Sequence, residues 1–257
     1  METLINPREN FYFGLSLFLS ISVYLLLFAW IIYVPEEGWI ILIYIVLFAV
    51  FFFLLRGFLI GNLKGNAIRV SEKQFPEVYR LAQQYSSQMG LKPVPAIFIL
   101  QSGGLLNAFA TRFLGRNFVV IYSEVLELAY GEGLLALGFV ICHELAHIKR
   151  GHLTKRKFIT PALIMPFLGK AYSRACEYTC DRFGAYFQQD GALAGLMVLA
   201  AGIKLYHIVD KTEFMSQANS EKGFWTWLAE IFSSHPQLTK RAKALDDSLK
   251  MHQPAIA

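Results

Sequence analysis

Ile141-Cys142-His143-Glu144-Leu145-Ala146-His147-Ile148 is the stretch from which the rest of the chain is read. On a helix, residues four apart stand on one face. His143 and His147 therefore present two imidazoles side by side, enough to bind one Zn²⁺ at about 2.0–2.1 Å per bond. Glu144, one position round, reaches a water beside such an ion without ligating it, which is the place of a general base in a metalloprotease. A capped, solvated helix end would carry the same residues, and the flanks speak against it. Glu132–Gly151 is predicted to be the helix, with Gly131 and Gly133 near its start and Gly151 past its end. Ala136 and Gly138 permit close packing behind the imidazoles.

A third ligand is needed. His152 is out of register for it, because Arg150 and Leu153 occupy the positions where the three-histidine motif has glycine and histidine. His152 suits a cation at the helix C-terminus or a partner behind the ligands. The next helix, predicted over Ala171–Phe187, reads Arg174-Ala-Cys-Glu177-Tyr-Thr-Cys-Asp181. Glu177 and Asp181 share a face. One carboxylate can complete a two-His, one-Glu site that leaves a position for water, and the other can hold a ligand imidazole in the right tautomer. Two alternatives use the same stretch. One is a solvated acidic face paired with Arg174 and Arg182; the other is a closed, thiolate-rich site on Cys176 and Cys180. Cys142 reads as a small packed residue.

Ahead of the motif, Ser71–Pro76 opens a helix that Gly90 stops. Pro95–Leu100, Leu105–Phe113 and Phe118–Tyr122 read as short strands, with turns at Gly103-Gly104 and Gly115. Such a sheet offers an edge against which an extended peptide can pair through its backbone, with little demand on side chains.

The N-terminal part belongs to another environment. Phe11 to Val34 carries no charge and is long enough to cross about 30 Å of hydrocarbon. Pro35-Glu36-Glu37-Gly38 is expected to break the helix, and Trp39 to Leu55 gives a second uncharged run, with Trp39 and Arg56 suited to the interfaces. Arg8, Arg56, Lys64 and Arg69 flank the pair while the loop holds only Glu36 and Glu37. The positive-inside rule thus puts both ends, and everything after residue 56, in the cytoplasm. Composition agrees: 55% of the 257 residues are hydrophobic, against about 45–50% in an ordinary soluble domain. The net charge of +5 has no nucleic-acid motif around it and suits an anionic lipid surface, so no nucleic-acid partner is expected. Three cysteines without framework spacing favour a reduced compartment.

Taken together, these residues resemble the membrane zinc metallopeptidases of the HtpX and CAAX-prenyl-protease type. The resemblance covers about residues 70–250: the helix-strand lead-in, Asn107-Ala108-Phe109-Ala110-Thr111, His143-Glu-Leu-Ala-His147, Glu177-x-x-x-Asp181, and Ser234-His235-Pro236 followed by Arg241. It implies that His143, His147 and Glu177 hold one Zn²⁺ per chain, with Asp181 and Arg241 supporting them. It further implies that Asn107 and His235 lie by the scissile carbonyl as oxyanion donors, and that Asn107, Ala108, Phe109 and Ala110 form the substrate strand. Two departures stand out. Arg112 occupies a position that is usually glycine, and where HtpX-type proteins insert two long spans this chain has only Phe158–Leu168, interrupted by Pro161 and Pro166, which is too short to cross a bilayer.

The fold expected is mainly α with a small β-sheet: a two-helix transmembrane anchor (1–60) and a zincin-like metallopeptidase domain (61–257). Gly191–Val209 is expected to be a core helix rather than a third span. Phe224–Phe232 is expected either to lie on the membrane surface or to pack in the core, and Pro236–Leu249 to be a closing amphipathic helix. The expected function is a zinc endopeptidase integral to the cell (inner) membrane, acting on membrane or misfolded polypeptides. A non-catalytic membrane protein with a structural zinc, or a narrow prenyl-peptide protease, are the alternatives.

Overall fold

The computed structural model describes residues 1–101, 103–104, 107–130, 133–165 and 167–252. Two long helices come first, α1 (Pro7–Tyr33) and α2 (Pro35–Asn66). Both are long and apolar enough to cross a membrane, and most of their large side chains, such as Leu26, Phe28, Leu47 and Phe52, are exposed rather than buried in protein. Pro35–Gly38 does not break the helix as the composition suggests. Only Val34 interrupts it, because proline fits a first helical position and Glu36 and Glu37 sit favourably at the positive helix start. Gly38 makes that tight return possible: a Cβ there would lie 2.8 Å from Ile31 Cα. With 32 residues at 1.5 Å each, α2 is about 48 Å long, well beyond the bilayer core. Its last turns serve the protein instead.

Those turns meet a four-stranded sheet made of β1 (Ile68–Arg69), β2 (Ala96–Leu100), β3 (Ala108–Phe113) and β4 (Arg116–Tyr122), in the order β1-β2-β4-β3. Side chains alternate between faces along a strand. Phe98, Phe118 and Val120 pack on Ile60 and Leu63 of α2, whereas Ile97, Ile99, Val119 and Ile121 join the main core. Burial on both faces explains why β2 reads as an unbroken apolar run rather than an alternating one. β2 and β4 are parallel, and the crossover between them leaves β3, antiparallel to β4, at the edge. The strand expected from Leu105 is observed from Ala108; Leu105 itself lies outside the described residues.

Helix α3 (Pro76–Gln88) starts on Pro76 and ends before Gly90, whose φ of +68° suits glycine. After β4 comes α4 (Ser123–Tyr130), which the periodicity does not announce, and then α5 (Leu134–Lys149), the central helix. The expected start at Glu132, with Gly131 beside it, lies outside the described residues. Gly151 (φ +67°) turns the chain into α6 (His152–Phe158), followed by α7 (Thr160–Ile164) and α8 (Leu168–Phe187). Pro166 lies outside the described residues. The predicted helix over Gly191–Val209 is shorter than expected: α9 spans Ala192–Ala201, and Gly202 (φ +78°) ends it before a 3-10 turn at Tyr206–Ile208. That leaves it buried and far too short to cross a bilayer. Then follow α10 (Lys211–Ser220), α11 (Phe224–Phe232) and α12 (Leu238–His252).

Phe139 on α5 locks the core. Its ring sits between Gly184 of α8 and Gly195 of α9, where added Cβ atoms would come within 2.7 and 2.5 Å of it. The N-terminal segment and α1 are joined to this core. Leu4 is buried with Ala146, Cys180 and Phe183, the Asn6 N–H donates to Thr179 Oγ1 (3.1 Å), and the Ala162 N–H of α7 reaches Ser20 Oγ on α1 (3.3 Å).

Candidate metal centre

Two antiparallel-packed helices build the site. α5 supplies the buried His143 and Glu144 and the half-buried His147, and α8 supplies the buried Glu177 and Asp181. The imidazole rings stand 5.1 Å apart, centre to centre. The Glu177 carboxylate lies across them: Oε2 is 3.3 Å from His143 Nε2, and Oε1 is 3.3 Å from His147 Nε2. Donor atoms around a tetrahedral ion with bonds of about 2.0–2.1 Å are roughly 3.3–3.4 Å apart. Each Nε2 thus stands at ligand spacing from one oxygen of the same carboxylate, and two imidazoles with a carboxylate are a donor set that suits a divalent ion.

The back of each ring is held as well. His143 Nδ1 lies 3.0 Å from Asp181 Oδ1. Arg241 of α12 grips Asp181 with two hydrogen bonds, Nε to Oδ2 (2.8 Å) and Nη2 to Oδ1 (2.7 Å), and its Nη1 lies 3.4 Å from Glu177 Oε2. Burial would lower the His143 pKa, but the hydrogen bonds to Asp181 and Glu177 outweigh it and raise it to about 10. Burial would raise the Glu177 carboxyl, yet its bonds to the two imidazoles hold it well below the ordinary value. Asp181 is lowered in the same way, by the Arg241 charge against the pull of burial.

A rival donor set, His143, His147 and Cys180, also lies within reach of one ion. Cys180 Sγ, however, is 3.8 Å from His152 Nδ1, which is itself 3.0 Å from His147 Nδ1. The thiol therefore lies toward the Nδ1 side of His147, whereas Glu177 meets that ring at Nε2. Burial pushes its pKa well above the ordinary value and keeps the poorly ligating protonated form. Cys176, the other thiol at ligand spacing, is raised to about 12 by burial. The acidic-face alternative does not fit either, since Arg174 turns elsewhere and Glu177 and Asp181 are both buried.

Glu144 is buried beside His143, and among the described residues no hydrogen bond or ion pair occupies its carboxylate. His235 stands at the mouth of the site, its Nε2 3.7 Å from Glu177 Oε1 and its side chain 62% exposed. Its loop is held by Arg174, whose Nη1 donates to the carbonyls of Glu230 (2.8 Å), Ile231 (3.1 Å) and Ser233 (2.8 Å). Asn107 is placed differently. It precedes the edge strand β3, exposed, with its side-chain oxygen accepting from the Ala108 N–H (2.9 Å). Among the described contacts nothing ties it to the imidazoles, although β3, with Ala108, Phe109 and Ala110, runs against α5. Arg112 donates to Thr154 Oγ1 (2.6 Å), which joins β3 to α6.

One participant has no counterpart in the motifs. Glu9 of α1 is wholly buried, and its Oε1 lies 2.8 Å from Arg150 Nη2 and 3.2 Å from His152 Nε2. The available signal was a lone acid at the head of an uncharged run, where an ionisable group is costly and rarely idle.

With the geometry in place, comparison with known proteins gives one match. Residues 72–166 and 157–249 match the description Peptidase family M48. No curated protein and no solved structure matches the chain.

Proposed function

The chain belongs to peptidase family M48, a family of metal-dependent peptidases, and from that footing we propose that it is a zinc endopeptidase anchored in the membrane by its first two helices. The observation that carries this reading is the Glu177 carboxylate lying 3.3 Å from both imidazole Nε2 atoms. His143, His147 and Glu177 would hold the ion, which supplies Lewis acidity to the peptide carbonyl and acidifies a water. Glu144 takes the proton from the attacking water and returns it to the leaving amine. His235, at the rim, donates to the carbonyl oxygen as it gains charge, and Asn107 is a second donor from the head of β3. Asp181 holds the His143 ring, and Arg241 holds Asp181. The free edge of β3 pairs with the substrate backbone, which suits a broad range of unfolded or membrane polypeptides. Two spans are few to enclose a prenyl chain, which favours the broad HtpX-like type over the narrow prenyl-peptide type.

We place the anchor at about 1–60 and the catalytic domain at 61–257, on the cytoplasmic side. Ser20 lies nine positions beyond Phe11 along α1, about 14 Å deeper at 1.5 Å per residue. Bonded to Ser20, α7 would dip into the bilayer rather than roof the cleft, with Ile164 and Phe167 exposed to lipid. Phe224, Trp225 and Trp227 of α11 are exposed too, as aromatics at headgroup level would be.

Metal analysis of the purified full chain should give one zinc per chain, lost in Glu177→Ala. Glu144→Gln should keep the zinc while casein cleavage falls by about 10²–10⁴, the usual worth of a general base. A fully active Glu144→Gln would refute the mechanism.

A further inference from the structure

His147 and His152 meet through their Nδ1 atoms at 3.0 Å. Two imidazole nitrogens at that distance need one proton between them, so one must donate and the other accept. Which one donates follows from the far ends of the chain of contacts. On the proposed metal site, His147 ligates through the Nε2 that faces Glu177. A neutral imidazole that ligates through Nε2 keeps its proton on Nδ1. His147 Nδ1–H therefore donates to His152 Nδ1, and the single proton of His152 sits on Nε2. That atom lies 3.2 Å from Glu9 Oε1, at ion-pair distance though without hydrogen-bond alignment, and an ionised carboxylate only accepts. The order is consistent from end to end: ion, His147, His152, Glu9.

The same plan appears on the other ligand in shorter form. Behind His143 stands the Asp181 carboxylate, neutralised by Arg241. Behind His147 stands His152 and then the Glu9 carboxylate, neutralised by Arg150 at 2.8 Å and with Lys155 at 3.6 Å. Asp181 belongs to α8, in the heart of the domain. Glu9 belongs to α1, the first of the two helices that could cross a membrane. Its carboxylate has no exposed surface, an arrangement too costly to keep without a firm set of partners.

We propose that Glu9 and His152 are positioning residues for His147, so that the first membrane helix supplies part of the metal centre. The inference rests on the metal-site reading given above. It departs from a simpler tie, in which Glu9 only fastens α1 by neutralising Arg150 and Lys155. A tie would set stability alone; a positioning chain also sets how tightly His147 holds the ion.

Zinc affinity of the full chain in detergent, measured by competition with a chromophoric chelator, separates the two. His152→Leu removes the acceptor and should weaken zinc about 10–100-fold, the usual cost of losing an outer partner of a ligand histidine. His152→Gln keeps one donor and one acceptor and should stay within about threefold of the wild type by the same reasoning. Glu9→Gln should weaken zinc in the wild-type background but add nothing in His152→Leu, because Glu9 acts through that ring. Should His152→Leu not fold, His152→Asn, too short to reach both partners, takes its place in the cycle. Wild-type zinc affinity in the His152 variant, or an equal Glu9→Gln effect in both backgrounds, would overturn the proposal. A wild type that binds no zinc, or a His147→Ala that binds it undiminished, would instead sink the metal-site reading.

Discussion

His143 is gripped by two carboxylates, Asp181 on Nδ1 and Glu177 on Nε2. Without an ion it is held protonated by Asp181 and Glu177, with its pKa raised from 6.5 to about 10. A raised imidazole stabilises the fold fully below its unfolded pKa, and that contribution is lost as pH climbs through the folded value. Glu177 and Asp181, both lowered, contribute above their unfolded values of 4.5 and 3.8 and lose that contribution in acid. The metal-free protein is therefore expected to be most resistant to urea at about pH 5–6.5 and to weaken steadily from pH 6.5 to about 10. Metal binding has the opposite slope, since the ion must displace this proton. Between pH 7 and 9 affinity should rise by up to about tenfold per unit, with proton release visible as a buffer-dependent heat in calorimetry. A pH-independent affinity would show that His143 is already neutral. The His152 imidazole behaves differently, since burial drives its pKa down to about 4, and it stays neutral across that range.

At the scale of elements, the site depends on how closely α8 and α9 approach α5. Phe139 is the contact, seated against Gly184 and Gly195 and one helical turn from His143, with ring centres 6.3 Å apart. A methyl at Gly195 would stand 2.5 Å from Phe139 Cδ1, so the ring has to move. Gly195→Ala should cost about 1–3 kcal/mol by overpacking, seen as a lower melting temperature in detergent, and should weaken zinc along with it. Unchanged stability would mean that α9 shifts freely. Helix existence was legible here from punctuation: Pro76 and Gly90 bound α3. What misled was Pro35-Glu36-Glu37-Gly38, whose turn-forming composition is equally that of a helix start, and the apolar run past Gly202, where backbone conformation overrode hydrophobicity.

For the whole molecule, the two apolar N-terminal helices and the rest of the chain are not separable pieces. Leu4, Asn6 and Glu9 enter the domain from one end, and Ile60 and Leu63 cover a face of the sheet from the other. A fragment beginning at residue 67 would bare Phe98, Phe118 and Val120 and leave Arg150 and Lys155 without Glu9. Breaking a buried pair from one side costs about 3–5 kcal/mol, a large share of a domain's 5–15 kcal/mol. The fragment is expected to aggregate or to melt well below the full chain, even in detergent. Equal melting temperatures with zinc bound would show that the helices are only an anchor.

Sequence alone determined the chemistry that is local. Four-residue spacing put His143 with His147 and Glu177 with Asp181 on shared faces, because helix geometry is fixed by the backbone. Charge-free length likewise marked the two apolar helices. Tertiary structure decided what distance along the chain hides: that Glu177 faces the imidazoles through Nε2 while Cys180 lies toward the Nδ1 side of His147, that Arg241 backs Asp181, and that His235 but not the Asn107 side chain stands at the carboxylate. It alone joined Glu9 to His152, 143 positions apart (152 − 9), because such contacts come from packing one helix on another and no periodicity records which helices will meet.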